Sequence, residues 1–473
     1  MKIFLTGANG YIGKRLLTAL VDLNYDVICG IRDLKRFHCP ASIKSKITVI
    51  EIDLLDENSL KKIPINIDGA FYLVHSMAND SNYNLLEQEC AINFRNAIEN
   101  TKIKHVVYLS GIVNETKLSK HLESRKNVEN ELSKGNYNFT ALRAGIIIGS
   151  GSASFEIIRD LVEKLPFMLA PKWLNTKCQP IAVADVISFL KLTMLNENTY
   201  NQNYDIGGPD ILSYKNMLLE YAKIRKLYRK IVIVPVMTPR LSSYWLYFVT
   251  STSYKLAIAL VNSMKIEVIC RNNDLNTILK IKPISYSESL NSAFRRIENN
   301  EIFSSWKDAY ISSGLNSKVS DFINVPEFGC FKDIRESHFD DRIACLNKIW
   351  AIGGQNGWYY TNFLWRFRGF IDKIFGGVGL RRGRTSKFTL NPGDTLDFWR
   401  VLYADKEEGR LLLYAEMKLP GEAWLEFKVS SDKLSQIATF RPLGLTGRLY
   451  WFLVYPFHEL IFRGLIKKLT KSK

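Results

Sequence analysis

The chain is poor in cysteine and lacks any long uncharged apolar run, and each shortage excludes something. Its seven cysteines, Cys29, Cys39, Cys90, Cys178, Cys270, Cys330 and Cys345, are scattered without paired spacing. That pattern argues for a reducing compartment and against a zinc site, so no metal is expected. No stretch offers about 18 apolar residues free of charge, so a conventional transmembrane helix is not expected. The nearest approach, residues 241–261, is broken by Lys255 and by many Ser and Thr. The N-terminus already reads as a strand, so no signal peptide is expected. Together these shortages point to a cytoplasmic protein. Internal repeats and long low-complexity segments are also missing.

Acidic charge is in deficit as well. Against 64 Lys and Arg stand 47 Asp and Glu, a net charge of +17. Residues 359–387 hold seven Arg or Lys and one Asp, and residues 441–473 hold seven and one Glu. Both pieces are rich in aromatics. Nucleic acid, an anionic membrane surface, an acidic ligand or a solvated basic face would each account for this. The basic stretches lack a recognisable reader motif, so nucleic acid is not expected as a partner. Peripheral contact with the inner face of a membrane, through the basic C-terminus, stays open.

What is present begins at once. Thr6-Gly7-Ala8-Asn9-Gly10-Tyr11-Ile12-Gly13 follows a short apolar run and leads into a helical pattern with Ile12, Leu16, Leu17, Leu20 and Val21 on one face. Strand, glycine turn and helix form the context in which such glycines bind a dinucleotide. Gly7 would make the tight turn, Gly10 would let the backbone approach the pyrophosphate, and Gly13 would let helix and strand pack closely. The helix N-terminus, from Asn9 to Ile12, supplies free N–H groups and the positive end of a dipole.

The first 150 residues alternate strand and helix, which reads as a doubly wound parallel sheet. Its second strand ends in Arg32 and Asp33. A cation there suits a 2′-phosphate, which favours NADP(H) over NAD(H), although Asp33 could take the opposite role. The third strand ends in Asp53-Leu54, where an acid lies near an adenine or caps the next helix. The fourth ends in Val74-His75, beside the expected pyrophosphate and ribose. Residues 1–230 are read as the Rossmann domain, residues 231–300 as its helical extension and substrate lobe, and residues 301–327 as a linker.

From residue 328 the pattern turns to antiparallel β. Leu411, Leu413 and Ala415 alternate with Leu412 and Tyr414, and after Pro420-Gly421 a second strand follows, a hairpin with one buried face. Helices are expected over residues 341–352 and 359–375, and a terminal helix over 447–469, kinked at Pro456. Seven of the nine tryptophans follow residue 300. They suit an aromatic-rich cavity or an aromatic core equally.

The glycine motif with Arg32 resembles the atypical short-chain dehydrogenase/reductases that include the NmrA-like proteins. Tyr72-Leu73-Val74-His75-Ser76-Met77, Leu118-Ser119-Lys120-His121-Leu122-Glu123-Ser124-Arg125, Leu142-Arg143-Ala144, the small-residue run 149–155 and Gln179-Pro180-Ile181 are similar to bacterial NAD(P)H-binding proteins with a helix-grip domain at the C-terminus. Ile349-Trp350-Ala351-Ile352-Gly353-Gly354, Gly357-Trp358-Tyr359-Tyr360 and Gly447-Arg448-Leu449-Tyr450-Trp451 carry the likeness of the second half, an α+β antiparallel fold of the START and polyketide-cyclase type. That fold implies a hydrophobic small molecule as a partner.

The resemblance also implies a catalytic set: a serine at the end of the fifth strand, and a Tyr-x-x-x-Lys pair on the following helix. Ser110 fits the serine. The pair reads His121 and Arg125 here. An imidazole donates a proton near neutral pH. An arginine holds a ribose or phosphate but does not deprotonate. The two are either a modified acid–base pair or the remnant of a lost one. Arg143 either supports the site or forms a buried ion pair, and Asp185 reads as a helix cap. Three functions follow: an NADP(H)-dependent reductase of an apolar carbonyl or quinone-like compound, a non-catalytic NADP(H)-binding sensor or scaffold, or a lipid-binding membrane-surface protein with a structural nucleotide.

Overall fold

The computed structural model describes residues 1–34, 37, 41–74, 83–113, 120–234, 261–298, 325, 330–375, 377, 379, 384 and 389–471. The chain divides into two compact units, residues 1–311 and 312–473. The division falls inside residues 301–327.

The first unit is built on strands β1 (Lys2–Thr6), β2 (Asp26–Ile31), β3 (Ile47–Glu51), β4 (Gly69–Tyr72), β5 (His105–Gly111) and β6 (Asn138–Ala144). Between them lie helices α1 (Tyr11–Asp22), α2 (Ala41–Lys44), α3 (Glu57–Leu60), α4 (Tyr83–Glu99) and α5 (Lys120–Leu132). Strand β11 (Gln202–Ile206) completes a seven-stranded sheet in the order β11-β6-β5-β4-β1-β2-β3, parallel throughout. The order turns back between β1 and β4, the switch point where such sheets bind ligands. Side-chain alternation sorts the core into two layers. Ile3, Leu5, Val107 and Leu109 meet Leu16, Leu20, Val186 and Phe189 on one face. Phe4, Tyr72, Val106 and Tyr108 meet Phe94 and Val128 on the other.

A lobe follows. It contains short strands β7 (Ile147–Ile148), β8 (Phe167–Pro171), β9 (Lys177–Cys178), β10 (Ile181–Ala182), β12 (Leu212–Ser213) and β13 (Lys230–Val234). Its helices are α6 (Ala153–Lys164), α8 (Tyr214–Ile224) and α10 (Tyr286–Glu298), while α7 (Val183–Thr193) and α9 (Asp274–Leu279) pack into the core of the sheet. Phe155, Tyr221 and Leu290 centre its own core. Residues 241–260, the stretch nearest to an uncharged apolar run, lie outside the described residues.

The second unit is a six-stranded antiparallel sheet, in the order β14 (Phe331–His338), β19 (Lys433–Pro442), β18 (Gly421–Val429), β17 (Arg410–Ala415), β16 (Trp399–Asp405), β15 (Thr395–Leu396). Helices α11 (Arg342–Trp350), α12 (Asn362–Ile374) and α13 (Gly444–Thr470) accompany it. One face carries the core, with Trp350, Trp358, Trp365 and Trp399 among its members. Trp358 stacks on Trp365 at 4.5 Å, and its indole N–H donates to Asp397 at 2.8 Å. Trp451 of α13 stacks between Phe331 and Phe440, at 5.5 and 5.8 Å, and so fixes the helix on the sheet edge.

Two expectations are corrected here. The hairpin is not buried on one face alone: Leu412 and Tyr414 are buried like Leu411 and Leu413. The second face is buried as well and holds paired charged residues. Arg400 pairs with Glu416 and Arg410 with Glu426, both at 2.9 Å, and Trp424 meets Tyr414 edge-on. The terminal helix is also longer than the sequence implied. It runs as one element through Pro456, whose missing N–H costs it a single backbone bond. Among the described residues no helix is long and apolar enough to cross a membrane, and no group of His, Cys, Asp or Glu gathers as metal ligands.

Candidate functional site

Because β1 to β6 are parallel, the ends of β1, β2, β3, β4 and β5 leave the sheet along one edge. Gly7 follows β1 in the left-handed region at φ +71. A side chain there would meet the Leu73 carbonyl oxygen at 2.9 Å. The Gly10 N–H closes the turn onto the Gly7 oxygen at 2.8 Å. A Cβ on Gly13 would lie 2.1 Å from that same oxygen, so only glycine lets α1 start this close to the strand. Gly10 caps α1 without a side-chain bond, and the first turn holds no acid. Its N–H groups therefore remain open to an anion. Asn9 turns a buried Oδ1 with no partner among the described residues into the same turn.

Arg32 directly follows β2. Asp53 directs its carboxylate at the Leu55 N–H, 3.1 Å away, and the Leu54 carbonyl accepts from Asn93 of α4 at 3.0 Å. Arg32 and Asp53 both act on Cys90, whose thiol burial pushes up to about 12. That thiol is protonated and unreactive at neutral pH. Val74 is described, and its neighbour Leu73 donates an N–H to Thr6 Oγ1 at 3.3 Å, tying β4 to β1. His75 lies outside the described residues.

Ser110 sits near the end of β5, buried, with an Oγ that has no hydrogen-bond partner of good geometry among the described residues. By strand alternation it shares a face with Tyr108. Arg125 reaches in from α5, donating to the Leu109 carbonyl at 3.3 Å. Burial raises the Tyr108 hydroxyl, opposed by Arg125 and Ser110 beside it. Tyr72 of β4 is raised in the same way and meets the Tyr108 ring edge-on at 5.8 Å. Ser124 bonds Glu87 just behind. His121 lies one helical turn before Arg125 on α5, and its side chain is outside the described set.

The comparisons with known proteins fit this edge. Residues 7–163 match a family described as NAD(P)H-binding. The N-terminal unit holds an NAD(P)H-binding Rossmann-like domain. Residues 330–465 match a second family, described as "Protein of unknown function (DUF2867)". Two curated relatives, the chloroplastic divinyl chlorophyllide a 8-vinyl-reductases of Arabidopsis thaliana and Cucumis sativus, are each 24% identical to this chain. Each match covers 44% of this chain and 54% or 52% of the relative, so the chain spans about half their length. The Citrobacter sp. triphenylmethane reductase complexed with NADP(H) is similar at TM-score 0.51 and 15% identity, over 62% of this chain and 100% of that one. A nucleoside-diphosphate-sugar epimerase from Staphylococcus aureus reaches 0.50 at 14%, over 61% and 99%. These two likenesses show the fold.

Several roles in the Rossmann-like domain escape the sequence. Arg15 is buried, lies over the Tyr11 ring at 4.1 Å and donates to the Ser150 carbonyl at 2.9 Å. It thereby ties α1 to the small-residue run. The Ser150 hydroxyl is buried there without a partner among the described residues. The helical spacing of Tyr11 and Arg15 was a usable signal, as was the two-residue spacing of Tyr108 and Ser110. Arg143 forms a forked pair with Glu129 of α5, at 3.0 and 2.5 Å. Asp185 does not cap its own helix: its carboxylate accepts the Ile284 N–H at 3.0 Å. Gln179 clamps Gly208 and Cys270, at 2.7 and 2.9 Å.

Proposed function

We propose that this chain is an NADP(H)-dependent reductase of an apolar carbonyl or quinone-like acceptor. One observation carries the reading. The uncapped glycine cradle and the buried Ser110 hydroxyl lie on a single sheet edge, two strand spacings apart, roughly 10 Å. The cradle fits a dinucleotide, since Gly7, Gly10 and Gly13 bring strand, turn and helix N-terminus together with no side chain between them. The relatives named as 8-vinyl-reductases lend the reductase class to the proposal.

Gly7, Asn9, Gly10, Tyr11, Ile12 and Gly13 would hold the pyrophosphate. Arg32 would pair with a 2′-phosphate, which is the reason to favour NADP(H) over NAD(H). Asp53 and Leu54 would flank the adenine, and Val74 and His75 the ribose. The bound nicotinamide would supply a hydride. Ser110 Oγ would donate to the acceptor oxygen. Arg125, fixed to β5, would favour negative charge developing on that oxygen. His121 would give the proton, as an imidazole does near neutral pH.

The test is NADPH oxidation over a panel of conjugated carbonyls and quinones. Ser110→Ala and His121→Phe should each lower kcat about a hundredfold. An absence of turnover across the panel, or full activity in both variants, overturns the reading. Equal affinity for NADPH and NADH, or no loss on Arg32→Ala, removes the cofactor preference. The second reading, a non-catalytic NADP(H) sensor, is favoured by one observation: His121 and Arg125 stand where the resemblance asks for Tyr and Lys. Tight NADPH binding without turnover would support it.

A further inference from the structure

In the second unit, α12 and α13 are apolar on the side turned away from the core. On α12, Trp365, Gly369 and Asp372 are buried. Phe363, Phe367, Phe370 and Ile374 recur at four-, three- and four-residue steps on the opposite side, each more than half exposed. On α13, Trp451, Phe462, Leu465 and Leu469 face inward. Leu445, Leu449, Leu453 and Leu460 form an outward stripe, with exposures from 84% at Leu445 to 50% at Leu460. The same stripe continues through Arg463 and Lys467, also exposed.

The two helices touch through side chains. Trp365 meets Phe462 at 6.3 Å, and the Arg368 guanidinium lies over Tyr450 at 5.8 Å. Both bury one face in the same core and turn apolar residues outward on the other. Scattered exposed apolar residues are ordinary, but two helical rows of them are not. An amphipathic surface helix should present polar residues to water on this side.

We propose that the outward sides of these two helices dock on an anionic lipid bilayer. Its charge is what selects the occupant. Residues 441–473 carry seven cations and one acid, and the cations continue the apolar stripe on α13 itself. Apolar side chains entering the acyl boundary with Arg and Lys at the headgroups is the arrangement of a helix lying in the interface. Neither helix crosses the bilayer. A second copy of this chain would bring the same cations against themselves across a two-fold interface, which charge disfavours. The inference is independent of the reductase reading.

The experiment is flotation of the full-length chain with two kinds of vesicle: phosphatidylcholine alone, and phosphatidylcholine with about one-third phosphatidylglycerol. Binding is expected to the anionic vesicles at low salt, falling as salt shortens the screening length. Phe367→Ser with Phe370→Ser should weaken binding about tenfold. Arg463→Glu with Lys467→Glu should weaken it by about fivefold or more per charge. Near-ultraviolet dichroism from the buried tryptophans checks that each variant keeps its fold. No flotation of the unchanged chain, or equal flotation of both variants, overturns the proposal. So does a dimer that Phe367→Ser with Phe370→Ser dissolves without any lipid binding.

Discussion

The two units solve the same packing problem differently. In the first, a parallel sheet is covered by helices on both faces, and Asn9 and Ser110 place buried polar atoms without a well-aligned partner among the described residues at its strand ends. In the second, helices and sheet share one core, and helices α12 and α13 leave large apolar side chains pointing outward. The buried histidines repeat the contrast. In the first unit, His105 accepts the Leu195 N–H at Nδ1 and meets Thr140 Oγ1 at Nε2, each at 2.9 Å. In the second, His458 has an Nδ1 without a partner among the described residues, between the rings of Trp451 and Phe462. A parallel sheet concentrates chemistry at an edge, whereas an antiparallel sheet with two surface helices offers a face.

The largest effect that separates the units is a cavity. Trp365→Ala should cost the second unit about 3–5 kcal/mol and leave NADPH binding intact. Denaturant unfolding followed beside a nucleotide titration checks this, and a shared loss would mean that the units are coupled. Gly13→Val is the converse. It should weaken nucleotide binding at least about a hundredfold through its clash with the Gly7 carbonyl, while the tryptophan dichroism of the second unit stays unchanged.

Acid should act on both. Burial lowers His105 and His458 to about 4. The folded state then holds fewer protons than the unfolded state between about pH 4 and 6.5. Stability is therefore full above about pH 6.5 and is lost as pH falls toward 4, by about 2 kcal/mol for His105 at pH 5. His105→Gln should remove that slope from the first unit alone, as seen in unfolding midpoints taken across pH. The smallest effect is local. Ser152 caps α6 by accepting the Phe155 N–H at 3.2 Å, so Ser152→Ala should cost about 1 kcal/mol in the first unit only.

Legibility followed contact distance along the chain. The glycine turn was readable because Gly7, Gly10 and Gly13 constrain one another within two turns of backbone. Strand β2 was readable to its last residue because the apolar run is itself the strand. Arg15 was not, because its partner Ser150 lies 135 residues away. Asp185 resembled a cap because the Ile284 N–H that it binds is 99 residues distant. Leu412 and Tyr414 read as solvent-facing because the burial of their face depends on neighbouring strands, which the alternation of one segment does not record.

The sequence by itself determined the nucleotide cradle, the parallel-then-antiparallel order of elements and the location of the basic charge. Those features rest on local backbone geometry and on side-chain periodicity. Only the tertiary structure decided that Ser110, Tyr108 and Arg125 converge, and that α12 and α13 leave apolar rows exposed. Both outcomes depend on which elements become neighbours across a sheet. Sheet order is set by the combined burial of the whole core, and no single segment records it.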